Sequence, residues 1–146
     1  MSEPRQKILF RLERDADGYP PADVEGVWAD EAGEGTLVLD NIPFFARQAT
    51  LGDVVSVDRI GDELFYASTE QPSANSLIRV VMIGGRDPQG LRSRLQAMGC
   101  SSELSHLPSL FAVNVPASVD IGQVRALLDE GSALDEWDYE EAILRQ

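Results

Sequence analysis

The chain has 146 residues with 25 Asp and Glu against 12 Lys and Arg, a formal net charge of −13, and a single His and a single Cys. That balance argues against a general affinity for nucleic acid, which needs clustered cations to displace phosphate counterions. The scarcity of imidazole and thiol argues against the side-chain chemistry most often used near neutral pH.

The acidity is not confined to one end, since residues 1 to 76 carry 15 acidic and 6 basic side chains and the remainder carry 10 and 6. Apolar residues make up 43% of the chain, enough to offset chain entropy in a folded protein. The lone Cys100 cannot form an internal disulfide. The N-terminal apolar run is too short for a signal peptide, and no stretch approaches a membrane span, so a cytoplasmic protein without membrane association is expected.

In chain order, Ile8, Phe10 and Leu12 alternate with Leu9 and Arg11, the period of a strand, which Asp17-Gly18-Tyr19-Pro20-Pro21 ends. Val24–Ala29, Thr36–Leu39, Asp53–Val57 and Glu63–Ser68 read as further strands. Glu34-Gly35, Leu51-Gly52-Asp53 and Ile60-Gly61-Asp62 supply turns between them. Five short strands in residues 1–70 suggest a small β-barrel of the SH3-like or OB-like kind.

Residues 71–76, Gln-Pro-Ser-Ala-Asn-Ser, read as a linker. Leu77–Ile83 is nearly all apolar, as in a strand covered on both faces, and Gly84-Gly85 ends it. Asp87 and Pro88 can open a helix carrying Leu91, Leu95 and Met98, closed by Gly99. Two strands follow at 100–107 and 110–115. A second helix is capped by Ser118, striped by Ile121, Val124, Leu127 and Leu128, and ended by Gly131. Leu134–Ile143 completes the series as a strand, although Leu134, Trp137, Glu141 and Leu144 also fit a helical face. The order over 77–146 is the βαββαβ arrangement of a ferredoxin-like α+β domain.

The segments Ile8-Leu-Phe-Arg-Leu-Glu13, Asp17-Gly-Tyr-Pro-Pro21, Val24-Glu-Gly-Val-Trp28, Leu39-Asp-Asn-Ile-Pro-Phe-Phe45 and Gly52-Asp-Val-Val55 together resemble a bacterial family described as domain of unknown function 4265. The resemblance is most specific over residues 7 to 57. It implies a small bacterial cytoplasmic protein, and it carries no catalytic residue over.

Candidate chemistry is sparse. On one extended strand Cys100 and His106 would stand roughly 20 Å apart, beyond the reach of a nucleophile and base. Glu13-x-Asp15-x-Asp17-Gly18 resembles the start of a calcium loop, but Val24 occupies the position of the closing Glu. Neither a catalytic residue nor a metal or cofactor site is therefore assigned, and the reading leans away from an enzyme.

Gly84, Gly85 and Arg86, with Arg92 and Arg94 on the following helix, form the local basic cluster where a small anion or metabolite would bind. In the first half, Tyr19, Trp28 and Phe44, with Phe45, flank prolines and can form a shallow groove for a peptide. Near the C-terminus, in the run that begins at Asp135, a strand puts Glu136, Asp138 and Glu140 on one face and Trp137 and Tyr139 on the other, a surface for a partner.

Charge without catalytic machinery makes the leading expectation a non-enzymatic protein-binding module that engages a basic protein partner, as an immunity, antitoxin or regulatory protein would. An anion-binding regulatory domain and a carboxylate-based enzyme are the alternatives.

Overall fold

Alternating apolar side chains organise the first half, and the computed structural model, which describes residues 5–146, shows which face each occupies. The fold is α+β, mostly strands in two mainly antiparallel sheets, with two helices among the described residues. No helix among the described residues is long and apolar enough to cross a membrane. The chain divides into two compact units, one ending at Ser73 and the other running from Ala74 to Gln146.

In the first unit, β1 (Gln6–Arg11), β2 (Val24–Gly33), β3 (Thr36–Leu39), β4 (Val54–Ile60) and β5 (Glu63–Gln71) pair in sequence. β1 also pairs in parallel with β5 through Ile8–Leu64 and Leu9–Phe65. Ile8, Phe10, Val27, Ala29, Leu37, Leu39, Val55 and Leu64 are buried together, the inward half of each alternation. Phe10 stacks on Tyr66 with ring centroids 4.9 Å apart. Four of the expected strands run longer or shift by a few residues, and β5 continues to Gln71, into the expected linker.

In the second unit, β6 (Ser76–Met82), α1 (Gln89–Met98), β7 (Ser101–Leu104), β8 (Leu110–Val115), α2 (Ile121–Ala133) and β9 (Trp137–Ile143) form a sheet of order β7-β8-β6-β9. Ile78, Val80, Met82, Phe111, Val113 and Val115 share a core with Leu91 and Leu95 of α1 and Val124, Leu127 and Leu128 of α2. The stripes read from both helices are the ones that pack.

Three local expectations are corrected. The cap of α2 is Asp120, not Ser118, and its carboxylate accepts a hydrogen bond from Gly122 N–H at 2.8 Å; a carboxylate also suits the helix dipole. Gly131 lies inside α2 rather than after it, and its lack of a side chain is accounted for by Trp137, whose indole would stand 2.0 Å from a Cβ at that position. The C-terminal element is a strand, with no helical alternative, and it starts at Trp137.

Candidate functional site

β9 lies at the edge of its sheet beside β6, with Asp138 opposite Val81 and Glu140 opposite Arg79. Alternation along β9 places Asp138 and Glu140 away from the helices and turns Trp137 and Tyr139 toward the core. Trp137 is 6% exposed and its indole N–H donates to Leu128 O at 2.9 Å. The ring expected on a partner-binding surface packs against α2 instead of facing outward.

The acidic stripe is also interrupted. Glu140 pairs with the buried guanidinium of Arg79 at 3.5 Å, a costly charge to bury without a carboxylate. Other residues on this side of the sheet, Leu77, Ala112 and Asn114, are buried as well. The free acidity concentrates at the start of β9, where Leu134 is 64% exposed and Asp135 occupies the left-handed region at φ 55°. Glu136 is half-buried, and its carbonyl accepts from Ile83 N–H at 3.0 Å. Beside them Asp138 is exposed next to Val81, itself 41% exposed. Among the described residues, neither Asp135 nor Asp138 has an ion pair.

On the helix side, Arg125 of α2 binds both oxygens of Glu141 and Tyr139 donates to Asp129. The Arg125 hydrogen bond holds the Glu141 carboxyl below its ordinary 4.5. Burial, then the Asp129 hydrogen bond, pushes the Tyr139 phenol up to about 12. A depressed carboxyl stabilises the fold above its unfolded pKa and loses that contribution as pH falls through the lowered value. The Arg125→Gln variant should therefore unfold at lower urea than the parent near neutral pH, and the gap should shrink as the pH falls below the ordinary carboxyl value of 4.5 and through the lowered one.

The aromatic residues of the first unit divide. Tyr19, 46% exposed, meets Phe45 edge to face at 5.8 Å beside the buried Pro20. Phe44 and Phe45 are half-buried because the Glu25 carboxylate of β2 accepts the N–H groups of Phe44, Phe45 and Ala46 at 2.5, 3.0 and 2.8 Å. Trp28 is occupied differently: Lys7 and Arg5 lie over its ring, 5.1 and 5.7 Å from the centroid. In the turn before Tyr19, the Asp15 carboxylate accepts Asp17 and Tyr19 N–H, so it serves the turn.

The basic cluster proposed for an anion is turned to other tasks. Gly84 and Gly85 take positive φ, 68° and 70°, to make the turn after β6. The Arg92 guanidinium donates to Ser102 Oγ at 2.9 Å and Ser102 O at 3.2 Å. It lines a small pocket of about 210 Å³ with Gln89, Gln96, Cys100, Ser101 and Ser102. Arg94 faces Glu130 at 3.9 Å, and Arg86 is exposed in the turn. Cys100, its thiol pKa raised by burial, precedes β7, while His106 is exposed beyond its far end. Among the described residues, no group of three or more His, Cys, Asp or Glu is placed to hold a metal ion.

Two cationic positions escaped the site assignments from sequence. Arg59 lines a cleft of about 400 Å³ with Glu31, Thr36, Leu37, Val57 and Leu64. Arg11 lies over Phe65 at 4.1 Å. The period-two pattern that buries Ile8 and Phe10 turns Lys7, Leu9 and Arg11 outward together, and that was the available signal.

A family model described as Domain of unknown function (DUF4265) matches residues 25–139, so it reaches well beyond the segment in which the motifs are densest. A structure described as a hypothetical protein from Neisseria gonorrhoeae has a TM-score of 0.82 at 19% identity, covering 99% of this chain and 98% of that one. At that identity the likeness shows the fold alone. No curated protein matches the chain.

Proposed function

We propose that this chain, which belongs to the DUF4265 family, is a non-enzymatic binding module that takes a basic protein partner on an acidic and apolar rim formed by Val81, Leu134, Asp135 and Asp138. The observation that carries the reading is the juxtaposition at the start of β9. Exposed Asp138 stands across the ladder from exposed Val81, exposed Leu134 and Asp135 precede β9 in the turn from α2, and among the described residues neither carboxylate has an ion pair. Apolar area supplies affinity there, while the carboxylates select and steer a cationic face. A cytoplasmic immunity, antitoxin or regulatory protein would work in this way.

The pairing of β1 with both β2 and β5 supports reading the first unit as a closed barrel of the SH3-like or OB-like kind. The βαββαβ order with sheet order β7-β8-β6-β9 supports the ferredoxin-like reading of the second. The alternative of a small-anion site at Gly84, Gly85, Arg86, Arg92 and Arg94 is less favoured, since Arg92 and Arg94 already have partners.

The test is affinity capture from a native extract with the parent and an Asp135→Asn/Asp138→Asn variant. A basic protein held at low salt, released at high salt and reduced about tenfold by the variant is the expected result. Equal capture by the two proteins would count against the rim.

A further inference from the structure

We infer that the outer face of β1, with its β2 and β5 neighbours, is a second docking surface, built for an extended acidic peptide segment whose carboxylates flank an apolar residue. The inference concerns a different unit from the rim proposed above and does not depend on it.

The face is made by one alternation. Ile8 and Phe10 point into the core, so Lys7, Leu9 and Arg11 point outward along the same strand. Register places Trp28 beside Lys7, and Phe65 beside Leu9. Val24 stands opposite Arg11. Trp28 and Val24 are 40% and 43% exposed, so the strip shows apolar area along its length.

The two cations are placed in an unusual way for so acidic a chain. With 25 carboxylates for 12 cations, an exposed Lys or Arg has an abundance of anionic partners to choose from. Yet among the described residues neither Lys7 nor Arg11 makes an ion pair. The Lys7 ammonium lies over the Trp28 ring and the Arg11 guanidinium over the Phe65 ring, where the ring quadrupole holds a cation while leaving its outer side open.

Gly26 gives a second, independent sign that Lys7 is positioned. It lies in β2 opposite Leu9, and glycine within a strand often marks a close approach. A Cβ built on Gly26 would fall 2.7 Å from Lys7 Cδ, so the absence of a side chain there lets the lysine stem lie flat across the sheet toward Trp28.

Spacing defines the ligand. The Cα atoms of Lys7 and Arg11, four residues apart on β1, are separated by about 13 Å. Their charged groups lie to opposite sides of the strand, the ammonium over Trp28 of β2 and the guanidinium over Phe65 of β5, so two positive posts stand diagonally across Leu9. An extended peptide that crosses the strip with an acidic side chain on either side of an apolar one presents a carboxylate to each post and the apolar group to Leu9. A continuous polyphosphate fits less well. Asp62 and Glu63 line a cleft with Lys7, Leu9 and Arg59, Asp58 pairs with Phe65 across the β4–β5 ladder, and the chain as a whole carries −13. These carboxylates lie beside Lys7, Leu9 and Phe65, so a ligand with a charge at every unit is repelled more than a peptide with only two.

Fluorescence anisotropy of the full chain tests this with two labelled probes: a peptide bearing two aspartates that flank a phenylalanine at alternate positions, and a short oligothymidylate. The peptide should bind saturably, and the Lys7→Glu/Arg11→Glu variant should weaken it about tenfold or more. Lys7→Gln/Arg11→Gln, which removes charge without reversing it, and Gly26→Val, which displaces the Lys7 stem, should also weaken it while thermal melting stays cooperative. Asp135→Asn/Asp138→Asn should leave it unchanged, which separates this surface from the rim. No saturable binding, binding indifferent to both Lys7/Arg11 variants, or tighter binding of the oligothymidylate would overturn the inference.

Discussion

Trp137→Ala is expected to cost the second unit about 3–5 kcal/mol, the range for truncating a large aromatic residue in a core. The residue is 6% exposed, its indole N–H donates to Leu128 O at 2.9 Å, and its ring presses on Gly131 in α2. Truncation leaves a cavity between α2 and β9, together with a carbonyl stripped of its side-chain donor. Chemical denaturation should show the transition of this unit moved to markedly lower denaturant, with α2 amides exchanging faster. A change below about 1 kcal/mol, the level of ordinary surface substitutions, would mean that the ring is not a core element and would restore it as a candidate contact residue.

In the first unit the largest effect is expected from Glu25→Ala, which should destabilise by about 2–4 kcal/mol, since hydrogen bonds to a charged group each contribute about 1.5–3 and water recovers part of the loss. One carboxylate accepts the N–H groups of Phe44, Phe45 and Ala46. Those bonds fold the segment after β3 so that Ala46 enters the core and Phe45 meets Tyr19. Faster amide exchange at residues 44 to 46 should accompany the loss. Unchanged exchange there would assign the ordering of the segment to other contacts.

Much of the strand pattern was legible because burial is written in alternation. Spacing alone identifies Ile8, Phe10 and the stripes of both helices, and the buried set includes them except Met98, which packs partly buried at the edge of its core. What escaped were features set by neighbours distant in sequence. Gly131 looked like a terminator, since a glycine after an apolar stripe usually ends a helix; its reason is the Trp137 ring six residues later. Trp137 looked available because alternation identifies two faces without saying which one is covered.

The site was less legible than the fold for the same reason. Glu140 reads as one carboxylate in an acidic run, and only the β6–β9 register shows that it answers Arg79. Arg92 reads as part of a basic cluster, yet Ser102 on β7 takes its guanidinium. Conversely, Lys7 and Arg11 are two isolated cations in an acidic sequence, and their placement appears only when β2 and β5 bring Trp28 and Phe65 beneath them.

The most direct measurement of the proposed function is a backbone amide spectrum of the labelled chain, recorded alone and with the basic partner recovered by capture. The rim account predicts that the largest shifts fall on Val81, Leu134, Asp135 and Asp138 and that they diminish as salt is raised. Perturbations centred elsewhere, with those four amides unmoved, would contradict it.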